Sequence, residues 1–125
     1  MTTRQEPTWS DVHVWADPSG WDVSVADPRG NHRLIERRQK KKSDIAPAHA
    51  LTMLHVADAL RFIAREMKRE GFDTSNHCVW VITNNTKAIQ VFRREVTDFL
   101  SAPALKTFEK NSMAFRSVAI TKGAK

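Results

Sequence analysis

Two side chains at the ends of predicted strands indicate the chemistry that this chain could carry. Asp17 follows a predicted first strand, and Asn84 follows a strongly apolar strand that begins near Cys78. Carboxylates at two such strand ends could hold a pair of divalent cations, which activate water and stabilise a leaving oxygen in phosphodiester hydrolysis. Because position 84 carries an amide, which keeps an oxygen but lacks the charge, the pair predicts a nuclease-like scaffold and argues against nuclease chemistry.

Both residues also have a purely structural interpretation. Asp17 begins the segment Asp-Pro-Ser-Gly, and Asp27 begins the similar segment Asp-Pro-Arg-Gly. Asp at the first position, Pro at the second and Gly at the fourth are typical of a type I turn. Asn84 and Asn85 suit a turn and the N-cap of a following helix. The sequence therefore leaves open whether Asp17 and Asn84 do more than form turns.

The composition predicts one globular domain with a basic surface. The chain has 125 residues, of which 41% are hydrophobic and 27% charged, and its formal net charge is +6. A chain of this length can bury a core of its own. We expect residues 1–10 to form a polar tail, residues 11–122 the domain and residues 123–125 a C-terminal tail. The basic excess favours acidic partners, nucleic acid first, although a merely soluble basic surface would have the same composition.

Cysteine content and the polar N-terminus predict a cytoplasmic protein. Cys78 is the single cysteine, so no disulfide can form within the chain and a reduced setting fits. Because it lies in an apolar run, we expect it to be a small core residue and not a nucleophile. The first residues carry no apolar core of a signal peptide. No apolar stretch approaches the ~20 residues of a membrane span.

Hydrophobic periodicity predicts a mixed sheet with helices against it. Trp21 to Val25 alternates apolar and polar residues, the period of a half-buried strand, and a third strand is expected over Asn31 to Arg38. The continuous apolar run from His77 to Thr83 predicts a central strand buried on both faces, with Trp80 in the core. The other expected elements are a helix from about Ala46 to Glu70 capped by Ser43 or Asp44, a second helix over Ala88–Phe99, a short third helix after Pro103 and a strand over Phe115–Ile120.

The order of these elements predicts an α/β fold. Three antiparallel strands form a meander, and the long helix can return the chain parallel to the first strand by a right-handed crossover. A mixed five-stranded sheet results. This order resembles the ribonuclease H fold, which integrases and resolvases share. Three segments carry the resemblance, namely residues 11–20, which end in an Asp-Gly-Ser-like turn, residues 50–60 of the long helix and residues 79–85, where the family has Thr-Asp-Ser.

The resemblance implies a metal site and places its ligands in this chain. The family cleaves the RNA strand of a hybrid with two Mg²⁺ ions held by four acidic residues. Asp17 matches the first of them, the helical glutamate falls at His49 and the next aspartate falls at Asn84. The last aspartate and the His-bearing loop before it have no counterpart. One ligand in four implies a catalytically inactive relative, with Mg²⁺ as a cofactor only if activity remains.

Three functions are consistent with the sequence. The first is a non-catalytic module that binds nucleic acid, RNA, DNA or hybrid, through a basic surface. The second is a protein-interaction or assembly factor, of phage or mobile-element type, that keeps the fold without chemistry. The third is a weak Mg²⁺-dependent nuclease. The candidate phosphate contacts for the first are Arg37, Arg38, Lys40, Lys41, Lys42, Arg61, Arg65, Lys68 and Arg69.

Other polar residues have plainer interpretations. The run from Arg37 to Lys42 is typical of a solvated loop, and His49 is expected on the surface in the first turn of the helix. His49 and His55 are six residues apart and share no helix face, so we expect no metal site from them. His13, His32 and His77 lie on separate predicted strands, where the sequence does not determine ligand geometry. Trp9, Trp15 and Trp21 could stack on bases, but packing in the core or on the sheet is favoured.

Overall fold

The helices and strands follow the predicted order. The protein is described by a computed structural model over residues 9–27, 29–39 and 46–123. Ser43, Asp44 and Lys40–Lys42 therefore lie outside the described residues. The elements are β1 (Val12–Asp17), β2 (Gly20–Ala26), β3 (His32–Gln39), α1 (Ala48–Arg69), a 3₁₀ turn (Thr74–Asn76), β4 (Cys78–Thr83), α2 (Thr86–Phe92), α3 (Ala102–Ser112) and β5 (Ser117–Lys122).

The five strands form one mixed sheet in the order β3-β2-β1-β4-β5. β1 pairs antiparallel with β2, and β2 with β3, as expected of a meander. β4 pairs parallel with both β1 and β5. The return through α1 makes this parallel pairing possible. The predicted α/β fold with a mixed five-stranded sheet is confirmed.

The core lies between the sheet and α1. The predicted apolar stripe of α1 is buried, with Met53, Val56, Leu60, Ile63 and Met67 fully enclosed. It packs on the valines of β1, β2 and β4 that point to the same face of the sheet. On its other side α1 contacts α3. A helix enclosed on two sides in this way is stabilised by packing more than by its intrinsic propensity.

The N-terminal end of α1 differs from the prediction, whereas the C-terminal end agrees with it. Its N-cap is Pro47, and no side chain caps it. Its last turn carries Lys68 and Arg69, where positive charge suits the helix dipole. Gly71 follows the helix with φ of 86°, a left-handed conformation that glycine adopts without penalty. The predicted stop is confirmed.

The expectation that β4 is buried on both faces is wrong. Val79, Val81 and Thr83 are buried against the helices, whereas Cys78 and Trp80 are exposed, Trp80 by 45%. All three helices in the described part of the chain lie on one face of the sheet, so the alternate side chains of β4 face outward. Cys78 and Trp80 are therefore not core residues.

The region after β4 also departs from the predicted helix. α2 ends at Phe92, and Arg94 has φ of 59°, a conformation that interrupts a helix. Val96 and Phe99, which were expected to continue the apolar face, are exposed. α3 has 11 residues and is not short, and Pro103 lies in its first turn as expected.

No helix in the described ranges is both long enough and apolar enough to cross a membrane.

Gly20 is required by the close approach of β3 to β2. A Cβ atom at this position would lie 2.0 Å from the carbonyl oxygen of Arg38 and 2.9 Å from the Cα of Gln39. We expect Gly20→Ala to lower the free energy of unfolding by about 3 kcal/mol, because backbone atoms must move apart. Urea denaturation would measure the change. Gly30→Ala is the control, since its Cβ would meet no atom within 4 Å and only its positive φ would cost about 1 kcal/mol. Equal losses for the two variants would contradict this interpretation.

Candidate functional site

The carboxyl ends of β1 and β4 lie side by side at one edge of the sheet. Val12 pairs with Val79 and Trp15 with Ile82 in the parallel ladder, so Asp17 and Asn84, which follow, reach the same place. Both line one cavity of about 60 Å³. Because small-molecule sites are usually about 300 Å³ or larger, this cleft does not suit a whole nucleotide. Asp17 and Asn84 therefore lie close together at this edge of the sheet.

Asp17 is used by the turn that it begins. Its Oδ1 accepts hydrogen bonds from the backbone N–H of Ser19 at 2.8 Å, from the Ser19 hydroxyl at 2.6 Å and from the N–H of Gly20 at 3.1 Å. Asp27 does the same in the next turn, where its Oδ1 accepts from the N–H groups of Arg29 and Asn31. Turn formation is therefore a real role of both aspartates. Of the two aspartates, Asp17 is the one that lines the cleft beside Asn84.

His55, and not His49, is the residue of α1 that contacts the end of β1. Its Nδ1 lies 2.8 Å from the carbonyl oxygen of Asp17, and the side chain is buried. Since a carbonyl only accepts, Nδ1 carries the proton and donates it. The sequence expectation placed His49 at this position by family resemblance. Helical periodicity defines the apolar stripe of α1 but not which polar side chain meets a neighbouring strand end.

His49 is buried, and the expectation that it lies on the surface is wrong. Its Nε2 is 2.6 Å from Oδ2 of Asp98, in the segment between α2 and α3. The same carboxylate oxygen accepts the N–H of Ser101, and Lys87 Nζ lies 3.7 Å from the other oxygen. The hydrogen bonds from Ser101 and His49, with the charges of His49 and Lys87, lower the pKa of Asp98 to about 2. This cluster holds the start of α1 against the α2–α3 connection.

Asp22 is the second carboxylate of the cleft, and it is ion-paired. Nε of Arg37 lies 2.9 Å from its Oδ1, and Nη2 lies 3.2 Å from its Oδ2. This two-pronged geometry is the strong form of an arginine–carboxylate pair. The hydrogen bond and the charge of Asp22 raise the pKa of Arg37. Arg37 is therefore paired with a carboxylate that lines the cleft.

The donors around the cleft do not fit a pair of Mg²⁺ ions. Such ions require several anionic oxygen ligands that are available to bridge them. Among the described lining residues, the carboxylates are Asp17, which is bonded to its own turn, and Asp22, which is paired with Arg37. An amide stands at the end of β4, and the adjacent helical residue is the imidazole of His55. These residues therefore do not supply the ligand set of a two-metal centre.

The two described arginines of the basic run, Arg37 and Arg38, lie on opposite faces of the sheet. Successive side chains of a strand point in opposite directions, so Arg37 faces Asp22 while Arg38 faces α1. The guanidinium carbon of Arg38 lies 5.3 Å from the Trp21 ring centroid and 5.2 Å from that of Phe62. These distances suit cation–π contacts. Arg38 is thereby held beside the middle of α1.

The exposed side of α1 carries further positive charge. Arg61, Arg65 and Lys68 are exposed, and among the described residues none of them forms an ion pair. Their spacing of four and three residues aligns them along one side of the helix. Arg69 is paired with Glu66 one turn away. Of the predicted basic residues, Arg38 thus contacts α1 at Phe62, whereas Arg37 is paired with Asp22.

Two solved structures resemble this arrangement over most of the chain. The first is RNase H1 from the halophilic archaeon Halobacterium salinarum, at 13% identity and a TM-score of 0.54, covering 93% of this chain and 87% of that one. The second is the N-terminal RNase H domain of a Mycobacterium tuberculosis protein, solved as a fusion with maltose-binding protein, at 9% identity and a TM-score of 0.53, covering 91% and 88%. The chain has a ribonuclease H-like fold, and identities this low show the fold alone. No family model matches the sequence, and the search of curated proteins found no match.

Removal of the Asp98 carboxylate tests the cluster around His49. Because the folded-state pKa of Asp98 lies below its ordinary value of about 3.9, the carboxylate stabilises the fold above about pH 4. That contribution is lost as the pH falls toward the folded pKa of about 2. We expect Asp98→Asn to lower the melting temperature at neutral pH and to approach the wild type near pH 2. Melting curves from pH 2 to 7 would measure this. Glu109→Gln, in an exposed pair with Arg94, is the control, and a gap for Asp98→Asn that does not depend on pH would contradict the assignment.

Proposed function

We propose that this chain is a non-catalytic ribonuclease H-like module that binds nucleic acid. The observation that carries the proposal is the exposed row of Arg61, Arg65 and Lys68, which form no ion pair among the described residues. Arg38 contacts the same helix at Phe62. The binding surface consists of Arg38, Arg61, Arg65, Lys68 and Arg69, which we call the α1 basic surface. Lys40, Lys41 and Lys42 follow β3 in the sequence and belong to the proposed surface, although they lie outside the described residues.

Electrostatics supports an anionic partner of this kind. The net charge is +6, and positive side chains that neutralise phosphates release counterions, which supplies much of the affinity for nucleic acid. No described carboxylate pairs with Arg61, Arg65 or Lys68, so the protein itself stabilises their charges little. Arginine also suits phosphate geometrically, because its planar group donates two parallel hydrogen bonds. Contacts of this type fix position on a duplex and do not read sequence.

The donor chemistry of the cleft supports the non-catalytic part of the proposal. At the paired strand ends lie a turn-bonded carboxylate from Asp17 and an amide from Asn84, and the imidazole of His55 bonds to the Asp17 carbonyl oxygen. These three groups do not supply the anionic oxygen ligands that two Mg²⁺ ions require. The module therefore uses the fold for binding without cleavage.

Charge removal on α1 tests the binding surface. We expect Arg61→Ala/Arg65→Ala to weaken binding of labelled hybrid, duplex and single strands, because two phosphate contacts are lost. The slope of log affinity against log salt should fall by about two. Fluorescence anisotropy at several salt concentrations would measure both quantities.

The matched control removes two lysines of α3. Lys106→Ala/Lys110→Ala takes away the same charge from exposed positions with the same spacing of four residues. If the α1 basic surface is the binding site, this control keeps nearly the wild-type slope. Equal effects of the two double variants would mean that net charge alone is responsible. Binding that does not depend on salt, or no binding at low salt, would contradict the proposal.

Cleavage assays test the catalytic part separately. We expect hybrid and duplex DNA to remain intact in Mg²⁺ and in Mn²⁺, because the cleft lacks the ligand set for a metal pair. Gel analysis of end-labelled substrates over hours would detect even slow hydrolysis. Asp17→Asn is the control for a trace contaminant. Cleavage by the wild type that Asp17→Asn abolishes would establish the weak nuclease instead.

A further inference from the structure

A second group of ligand-type side chains lies away from the cleft. Asp11, His13 and His32 each offer one ligand atom, and these atoms all lie within 4.8 Å of one another. Asp11 precedes the start of β1, whereas the cleft lies at its other end. Six residues of extended chain separate Asp11 from Asp17, which corresponds to about 20 Å. The cluster is therefore separate from the cleft and from the α1 basic surface.

The sheet register explains why two distant histidines meet. His13 of β1 pairs with Ser24, and His32 of β3 pairs with Ala26, so both project from the face that no described helix covers. The intervening strand carries only small side chains at these two positions. The imidazoles can therefore meet above β2, where they stack with ring centroids 4.0 Å apart and an interplanar angle of 24°.

The carboxylate is fixed at the same point. Asp11 Oδ1 lies 3.2 Å from His13 Nε2, and its Oδ2 lies 3.0 Å from His32 Nε2. The preceding residue is bound to the sheet, because the N–H of Ala26 donates to the carbonyl oxygen of Ser10 at 2.8 Å. Asp11 itself has φ of 51°, a conformation that aspartate tolerates better than most residues. Both imidazole nitrogens thus face one carboxylate.

We propose that Asp11, His13 and His32 form a binding site for one divalent transition-metal ion of the zinc class. Two imidazole nitrogens and one carboxylate oxygen are a ligand set that Zn²⁺ accepts, with water in the fourth position. Ligand atoms at the usual zinc distances stand roughly 3.3 Å apart in a tetrahedron. The two nitrogens lie 3.2 and 3.0 Å from different oxygens of the carboxylate, and one ligand atom from each residue lies within 4.8 Å of the other two, so binding requires side-chain rotations that bring both nitrogens and one oxygen around the ion.

Solvent access and ligand type further define the ion. The three side chains are 26%, 31% and 47% exposed, so an ion and its water can reach the nitrogens. Mg²⁺ prefers oxygen ligands and does not suit a site with two imidazoles. The proposed site therefore differs from a two-Mg²⁺ nuclease centre both in the metal that it binds and in its position in the fold.

Zinc titration of the untagged full-length chain tests the proposal. Isothermal titration calorimetry at pH 7.5 should show one Zn²⁺ bound per chain, with an affinity that excess Mg²⁺ does not change. We expect His13→Asn and His32→Asn each to weaken binding at least about tenfold, because each removes one of three ligands.

His77→Asn is the matched control. His77 is partly exposed and is not one of the three proposed ligands, and its Nδ1 contacts the carbonyl oxygen of Asp73 at 2.8 Å. Its removal should leave the zinc affinity unchanged. In an NMR spectrum of the imidazole groups, Zn²⁺ should shift the signals of His13 and His32 and leave those of His49 and His55 in place. No saturable Zn²⁺ binding, or equal affinity of His32→Asn and the wild type, would overturn the site and show a hydrogen-bonded Asp–His cluster only.

Discussion

Burial of the apolar side of α1 against the sheet is the constraint on which the rest of the structure depends. Met53, Leu60 and Ile63 fill the space above β1 and β2, and the return of the chain through this helix places β4 parallel to β1. The other side of α1 is occupied by α3, where the Asn111 amide donates to the carbonyl oxygen of Ala57. A helix enclosed on both sides fixes the relative positions of all the elements around it.

Polar side chains along α1 form hydrogen bonds to the neighbouring elements. His49 bonds to Asp98, His55 to the end of β1, and Asp58 accepts the indole N–H of Trp21 at 2.9 Å. Near the end of the helix the Trp9 indole donates to Glu70, just beyond α1. Each of these groups is buried or partly buried, so loss of its partner would cost more than the bond contributes. His55 of α1 thus has a structural role at the end of β1.

The sequence predicted those features that depend on local chemistry. The turn at Asp17 and the glycine stop at Gly71 have specific backbone requirements, and the helical period of α1 identifies its buried side. The double burial of β4 was predicted wrongly because a continuous apolar run, with Trp80 in its middle, does not reveal whether a second layer covers the sheet. The sequence also does not indicate that His55, and not His49, bonds to the end of β1. That contact depends on long-range packing and not on the helical period.

A single register shift illustrates why the histidine cluster could not be predicted. Val23 of β2 pairs with Glu36 and the next residue, Ser24, pairs with Leu34, so Ile35 is an extra residue in β3. Such a bulge reverses the faces of all side chains beyond it relative to an unbroken ladder. Without it, His32 would project toward the helical side, and only because of it does the ring stack on His13. Near the turn, where the ladder is still regular, Arg38 keeps the helical side and reaches Phe62. One inserted residue in β3 therefore assigns the basic surface and the histidine cluster to opposite faces of the same sheet.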